Sequence, residues 1–442
     1  MPRQKSQIAG WGRIATRGRE RRLEDLFRLS EHAVLSRGLG RSYGDSSLPP
    51  PTCDEVVSTV LGNRLLDFNS ETGELRAEAG TSLYLLASVF LARGWFVPVT
   101  PGTAFVTLGG MVAADVHGKN HHVEGCIGAH VTKLTVRVAD GRLIECSPNC
   151  EATLFWATVG GMGLTGHILE VTLRMTRVPT PWIRAESVRA EGIDALLKEL
   201  ARSSATWPFT VAWTDGLTRG RHLGRGIVYR GRWEDATEDL RTVPTVAPSV
   251  TLPCNAPTGL LNRISVGLFN SAMYRFHGNQ TRMDIRSPYR FFYPLDLISN
   301  WNRLYGRRGL TQYQCVVPRS RGPEGVRTML ELMSQQRARA FLCVIKDCGD
   351  EGQGTLSFPM RGTSLAIDLP VDGDTQRVVD TLNEQLIALG GRIYLAKDTF
   401  TRADQFRSME PRLVQWQTVR RLWDPELRLR SAQSVRLFGD PT

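Results

Sequence analysis

Residues 130–138, HVTKLTVRV, alternate apolar and polar side chains, the period of a strand buried on one face. Asp140-Gly141 then supplies a turn into LIECS, so the spacing predicts a hairpin. Residues 167–176 alternate again, and 33–36, 56–60 and 74–79 read as shorter strands. Apolar residues recur at helical spacing over 82–93 and 151–158, while 102–118 and 160–166 read as Gly-rich loops.

The character changes after Pro179. Helical spacing covers 193–203, and 209–213 and 226–230 are strand-like. Residues 242–262 form a Pro/Thr-rich irregular stretch, and 264–290 carry aromatic and basic residues without clear periodicity. Then come strand 312–317, helix 323–337, strands 340–346 and 363–369, and helix 374–389. That order predicts an antiparallel sheet covered by helices on one face, an α+β class. Residues 401–423 look helical despite Pro411. No repeat or low-complexity segment interrupts the chain. The expected division is 1–178, 179–391 and a C-terminal return to the first domain over 392–442.

The chain has 442 residues, enough for a sizeable core, and a formal net charge of +11. That balance favours an anionic partner: nucleic acid, a membrane surface or a phosphorylated substrate. The eight cysteines include no C-x-x-C pair and read mostly as buried free thiols of a reducing compartment. The N-terminus MPRQKSQIAGWGR lacks an apolar signal core, and no stretch is apolar enough to span a bilayer. A cytoplasmic protein is expected, with association at a membrane surface, the periplasmic side included, left open.

Five motifs could carry chemistry. Arg37-Gly38-Leu39-Gly40-Arg41-Ser42-Tyr43-Gly44-Asp45 follows a strand, and its backbone N–H groups could approach a phosphate. It is neither a Rossmann fingerprint nor a P-loop, and a plain surface turn is the alternative. Thr100-Pro101-Gly102-Thr103 followed by Thr107 to Gly118 form a second small-residue stretch, suited to a flat cofactor or to helix–sheet packing. The spacing of His117, His121 and His122 invites a metal reading, but Gly118 and Lys119 fill the middle positions of H-E-x-x-H and Gly118 and Asn120 argue against a helix, so no metal is expected; His117 and Lys119 better suit donors beside an anionic or electron-rich centre. Gly160–Gly166 could pack against a ligand. Lys397, at the end of the apolar run Tyr394-Leu395-Ala396, could be a base if burial lowers its pKa, or a surface lysine paired with Asp398.

In this order, Arg37–Asp45, Pro101-Gly102-Thr103, HGKNHH at 117–122, LFWATVGG at 154–161, Gly163–Gly166, Tyr293–Asp296, Gln312-Tyr313-Gln314, Leu356–Pro359 and Ala396–Asp398 cover nearly the whole chain. Together they resemble the FAD-linked oxidases of the vanillyl-alcohol oxidase / p-cresol methylhydroxylase type. The resemblance implies a two-domain fold with a substrate domain inserted into a split FAD domain. It implies pyrophosphate binding by 37–45, flavin contacts from Gly102, Thr107, Leu108, Gly109, Gly110, Ala114, Asp115, Val116 and His117, and an adenine contact at Ile168. Tyr394 would stand at the isoalloxazine. Tyr43, His117, Lys119, Trp213, Gln314, Lys346, Asp368 and Lys397 would form the substrate pocket.

Within that type the likeness is to oxidases of the 2′-hydroxyl of a polyprenylphosphoryl-β-D-ribose, the first half of an epimerisation to the arabinose form. Hydride would leave the sugar carbon while Lys397 takes the hydroxyl proton, with Tyr43 and His117 assisting. An NADH-dependent short-chain reductase would reduce the keto product, and quinone or oxygen would reoxidise the flavin. Basic residues near 276–290 and 304–308 could meet lipid head groups. An FAD oxidase of a free alditol or aldonolactone, releasing hydrogen peroxide, is the alternative; no nucleic-acid motif is present. Many relatives bond a His of the first Gly-rich loop covalently to the flavin. Gly40-Arg41-Ser42 contains none, so the FAD is expected to be non-covalent. Ala366 stands where actinobacterial relatives carry a Cys that nitro-aromatic inhibitors trap.

Overall fold

The computed structural model describes residues 7–236, 242–244, 249–257 and 259–442. The hairpin Val131–Arg137 / Leu143–Cys146 forms, and His167–Arg174 and Glu74–Glu78 extend it into a five-stranded antiparallel sheet ending at Leu65–Phe68. A three-stranded parallel sheet joins Arg19–Arg22, Glu55–Ser58 and Ser36–Arg37. The expected strand 33–36 therefore shrinks to Ser36–Arg37.

A third sheet has eight strands, each antiparallel to its neighbours. Their order is Arg282–Arg286, Ile183–Ala190, Gly226–Trp233, Phe209–Thr214, Cys343–Cys348, Gly362–Pro370, Leu310–Pro318 and Arg392–Ile393. Helices Ile193–Ser204, Gly322–Gln335 and Thr375–Leu389 cover one face. Each buries an apolar stripe at helical spacing, as with Val326, Met329, Leu330 and Met333. Strand alternation sends Cys315, Val317, Leu365, Ile367, Cys343 and Ile345 into this layer. The intervening Gln312, Gln314, Ser364, Asp368 and Lys346 therefore lie on the opposite face.

Three expectations change. The Gly-rich stretch 102–118 contains a helix, Leu108–Ala113, whose cap Thr107 accepts a hydrogen bond from Gly110 N at 3.3 Å. The segment 401–423 breaks at Glu410-Pro411 into helices Ala403–Met409 and Leu413–Trp423, because proline cannot continue the first helix. The aperiodic stretch 264–290 holds helix Arg263–His277, strand Arg282–Arg286 and helix Pro288–Phe292. The first helix buries Val266, Asn270, Tyr274 and His277. Its inner face is thus largely polar, which blurs the hydrophobic period. Part of 242–262 lies outside the described residues; within the described part, Val250–Thr251 pairs in parallel with Ile298–Ser299.

The C-terminal helices tie the architecture together. Trp416 is fully buried and donates to Ala157 O at 2.9 Å. Arg420 forms a buried pair with Asp440 at 2.7 Å and also donates to the Leu164 and Leu429 carbonyls. Those extra acceptors offset the cost of desolvating the guanidinium.

Candidate active site

Loop 37–45 is held from three sides. Tyr43 N donates to Ala396 O at 3.0 Å, and Trp11 N and Gly12 N donate to Ser42 O and Tyr43 O at 2.7 and 3.0 Å. From helix Ala432–Phe438, Arg436 grips Asp45 at 2.8 and 2.9 Å and Asp398 at 2.8 Å. A Cβ on Gly44 would stand 1.8 Å from Asp398 O, so only glycine permits this approach. Among the described residues, the backbone N–H groups of Gly38, Leu39, Gly40, Arg41 and Ser42 make no backbone hydrogen bond. A run of free N–H groups is an anion cradle.

Two side chains of this loop serve the protein instead. The Arg37 guanidinium is spent on Glu20, Ser47 and Ala9 O, and the Asp45 carboxylate on Arg436. Only their backbone is available to a ligand. Arg41 lies 4.0 Å from the Trp11 ring centroid and 5.1 Å from that of Phe105. Burial lowers its pKa, opposed by nearby Asp296, which accepts from Thr103 Oγ1 and Ala104 N at 2.8 Å each.

The second small-residue stretch divides similarly. A Cβ on Gly109 would press on Ala79 at 2.9 Å, whereas a Cβ on Gly102 meets nothing within 4 Å. Gly109 serves packing and the Gly110 backbone is spent within its helix, on Thr107 Oγ1 and Ala114 N; Gly102 presents open backbone. Leu108 is buried in the core, and Ala114 O accepts from Tyr394 Oη at 2.9 Å. Asp115 has a left-handed backbone (φ 38°), accepts from Gly128 N at 2.9 Å and from the Ser357 hydroxyl, and is pushed up to about pKa 6 by burial. Its carboxyl thus braces the loop that carries Val116 and His117. Ile168 sits beside a register shift in its strand, with its side chain buried. Tyr394 stacks on Phe358 at 4.8 Å and meets His117 edge-on at 5.6 Å.

These features fit FAD. Free N–H groups over 38–42 suit its phosphates, and the open backbone at 102 suits a flat ring. His117 Nδ1, buried and without a partner, is a polar atom for such a group to satisfy.

The face of the eight-stranded sheet away from its helices supplies the other wall. Register places Trp213, Val344, Ala366 and Gln314 in one row, and Tyr394 N donates to Gln314 O at 2.9 Å. Gln314 Nε2 donates to Ser364 Oγ at 3.3 Å and contacts His117 Nε2 at 3.0 Å. With the amide nitrogen donating, the His117 proton sits on Nδ1. Burial first, then Lys346, His121 and Lys397, depress the His117 pKa well below the ordinary value, so the ring is neutral. His117 and His121 rings lie 6.0 Å apart, while His122 Nε2 turns to Trp207 O. The three histidines do not converge.

Lys397 Nζ is 3.9 Å from the Tyr43 ring centroid. Burial pulls its pKa down, nearby Lys346 adds to this, and Asp368 opposes it. Asp368 is fully buried and accepts from Gln312 Nε2 and from Tyr305 Oη at 3.2 Å; burial raises its pKa. Lys119 donates to Phe292 O at 2.8 Å and is pulled down to about pKa 7 by burial and Lys346. Burial also lowers Lys346. Tyr43, His117, Gln314, Lys346, Asp368 and Lys397 therefore meet, with Lys119 in the same field. Trp213 packs further along the row with Ile227 and Tyr274.

Gln312, Tyr305, Asp296 and Arg436 were not candidates from the sequence alone. Gln312 had a local signal, since it alternates with Gln314 in an apolar strand. Tyr305 and Arg436 reach the site only through tertiary folding.

The family of FAD binding domains matches residues 22–147. The chain is 34% identical to decaprenylphosphoryl-beta-D-ribose oxidase of Mycolicibacterium smegmatis, over 96% of each chain. L-gulonolactone oxidase of Mus musculus is 32% identical over 36% of this chain and 35% of its own length. D-arabinono-1,4-lactone oxidase of Yarrowia lipolytica is 28% identical over 31% of this chain and 26% of its own. The two lactone oxidases thus share about a third of the chain, whereas the first relative covers nearly all of it. The chain belongs to the decaprenylphosphoryl-β-D-ribose oxidase family of FAD-linked oxidases and is an FAD-dependent oxidoreductase.

Proposed function

We propose that this enzyme oxidises the 2′-hydroxyl of a polyprenylphosphoryl-β-D-ribose to the 2′-keto sugar. The observation that carries the reading is that Lys397, 3.9 Å over the Tyr43 ring, and Lys346 both bear on neutral His117, which Gln314 holds at 3.0 Å, with Lys119 next to Lys346. Lys119 and Lys397, each pulled down to about pKa 7 by burial, are amines that can accept a proton near neutrality, and lysines of the group that remain charged attract a phosphate-bearing substrate.

FAD, held along 38–42 and 102–117, supplies a two-electron acceptor for the hydride leaving the sugar carbon. The other roles belong to the chain. Lys397 Nζ takes the hydroxyl proton as the carbonyl forms, and the Tyr43 ring beneath it favours the resulting ammonium. Asp368, fixed by Gln312 and Tyr305, faces that new charge. His117 offers Nδ1–H as a donor, its Nε2 being held by Gln314. Lys119 and Lys346 orient the anionic end of the substrate.

In the same reading the FAD is non-covalent, because the 37–45 loop carries no histidine. Quinone or oxygen reoxidises it, and an NADH-dependent short-chain reductase consumes the keto sugar. The protein works on the cytoplasmic side, in peripheral contact with a membrane.

Anaerobic mixing with a short-chain prenylphosphoryl ribose should bleach the flavin absorbance. Bleaching by a free alditol or aldonolactone alone, with hydrogen peroxide released in air, would replace the lipid-linked substrate with a soluble one.

A further inference from the structure

Helix Arg263–His277 is built the wrong way out for a surface helix of a protein that is surrounded by water. Its inward face carries Asn270, Tyr274 and His277, all buried and bonded: Asn270 to Asp215 at 2.8 Å, Tyr274 to Ala190 O at 3.2 Å, His277 to Ser187 at 2.8 Å. Its outward face carries Ile264, Leu268 and Phe276, exposed by 75, 70 and 79%, with Phe269 at 50%. Ile264, Leu268, Ala272 and Phe276 follow one another at intervals of four, a single row along the helix. Leu260, 46% exposed, precedes it. Isolated exposed apolar residues are ordinary, but a contiguous row of large ones on one helix face marks a contact surface.

Charge selects the occupant. Residues 260–290 hold five arginines, at 263, 275, 282, 286 and 290, against one acid, Asp284, which is itself paired with Arg286 at 2.8 Å. Arg275, Arg282 and Arg290 are exposed, and Arg307 and Arg308 lie exposed beyond the other end, where Arg308 and Leu261 line one cleft. An apolar row flanked by arginines is the pattern of a helix lying in the interface of an anionic bilayer. Among the described residues, no helix is long and apolar enough to cross a membrane, so the contact is peripheral.

We infer that helix Arg263–His277 docks the protein on an anionic phospholipid surface, inserting Ile264, Leu268 and Phe276 while the arginines meet the head groups. The inner side of the same helix packs Tyr274 and Met273 against Trp213. The element that touches lipid thus borders the proposed substrate wall, a link that rests on the lipid-linked substrate reading.

The test is flotation of the flavin-loaded protein with vesicles of phosphatidylcholine alone or mixed with phosphatidylglycerol. The protein should float with the mixed vesicles and weakly with neutral ones. Ile264→Ser, Leu268→Ser and Phe276→Ser together should lower partitioning roughly a hundredfold, since three large apolar side chains leave the interface. Val414→Ser with Leu422→Ser, both 72% exposed on another helix, should leave it unchanged. Flavin bleaching by a short-chain soluble substrate should survive the triple substitution. Unaltered flotation of the triple variant, or equal binding to neutral vesicles, would overturn the inference. So would a dimer that the triple variant abolishes without any vesicle binding, which would assign the face to a second copy. Flotation without bleaching of the wild type would leave this surface standing and remove the substrate reading.

Discussion

Lys397 and Tyr43 are joined twice: the lysine Nζ lies 3.9 Å from the tyrosine ring centroid, and the preceding Ala396 O accepts from Tyr43 N at 3.0 Å. The proposed base is therefore fixed to the loop whose free N–H groups suit the cofactor phosphates. Lys397→Ala should lower flavin reduction by about a hundred- to ten-thousandfold, the ordinary worth of a positioned base, while bound flavin stays stoichiometric. Lys397→Arg should not restore the rate, because guanidinium stays protonated. Stopped-flow bleaching at saturating substrate measures both; a wild-type rate in either variant removes Lys397 as the base.

Lys119 gives a pH prediction whose sign follows from its burial. Its folded pKa is about 7, against 10.5 for an ordinary lysine. Between those values the unfolded chain binds more protons, so this group's contribution makes stability rise with pH; the penalty is fully present below about 7. Lys119→Met should flatten the dependence of urea midpoint on pH across that window. Parallel wild-type and variant curves would contradict the assignment.

Much of this site was legible because strands and small residues speak locally. The resemblance, not periodicity, named Gln314, Lys346 and Asp368; they sit on strands whose apolar neighbours turn to the helices, which puts them together on the other face. Glycine was harder to read. Gly102 is open, but Gly38 abuts Thr107 and Gly109 abuts Ala79, and sequence alone does not separate cofactor access from tight packing. Helix Arg263–His277 escaped detection because its buried face, Val266 apart, is polar-bearing and its exposed face apolar, the reverse of what periodicity seeks. Arg436 was invisible because its partners, Asp45 and Asp398, lie 391 and 38 residues away.

That arginine yields a stability prediction. Arg436→Met leaves Asp398, 5% exposed, without its cation, and frees Asp45 beside the cofactor loop. Removing one partner of a largely buried pair costs about 3 kcal/mol. Both lower denaturation midpoint and faster flavin release, read as recovered flavin fluorescence, are expected. A lower midpoint with unchanged release would show that Arg436 braces the fold without positioning the loop.

Ala366 lies in register with Gln314 and Val344 on the sheet face away from the helices. Ala366→Cys should place a thiol there with little loss of stability, since the added group is one sulfur on a half-buried side chain. The variant should gain a covalent adduct with turnover-activated nitro-aromatic inhibitors, seen by intact-protein mass, and the wild type should not. A wild-type adduct would point to another reactive thiol among the eight cysteines.

Gly44 and Gly102 separate the two meanings of glycine in this chain. Alanine at 44 would set a Cβ 1.8 Å from a backbone oxygen that is held by the Asp398–Arg436 pair and cannot retreat. Gly44→Ala should therefore abolish folding of the clamp and yield aggregated or flavin-free protein. Alanine at 102 meets nothing within 4 Å, so the flavin-free Gly102→Ala protein should melt within a degree or so of its wild-type counterpart, as exposed substitutions do. If the open face at 102 admits the flavin, the added methyl intrudes there, and FAD affinity should fall several-fold in titration of the flavin-free protein. Wild-type FAD affinity in Gly102→Ala would move the ring away from residue 102, while leaving the phosphate cradle at 38–42 in place.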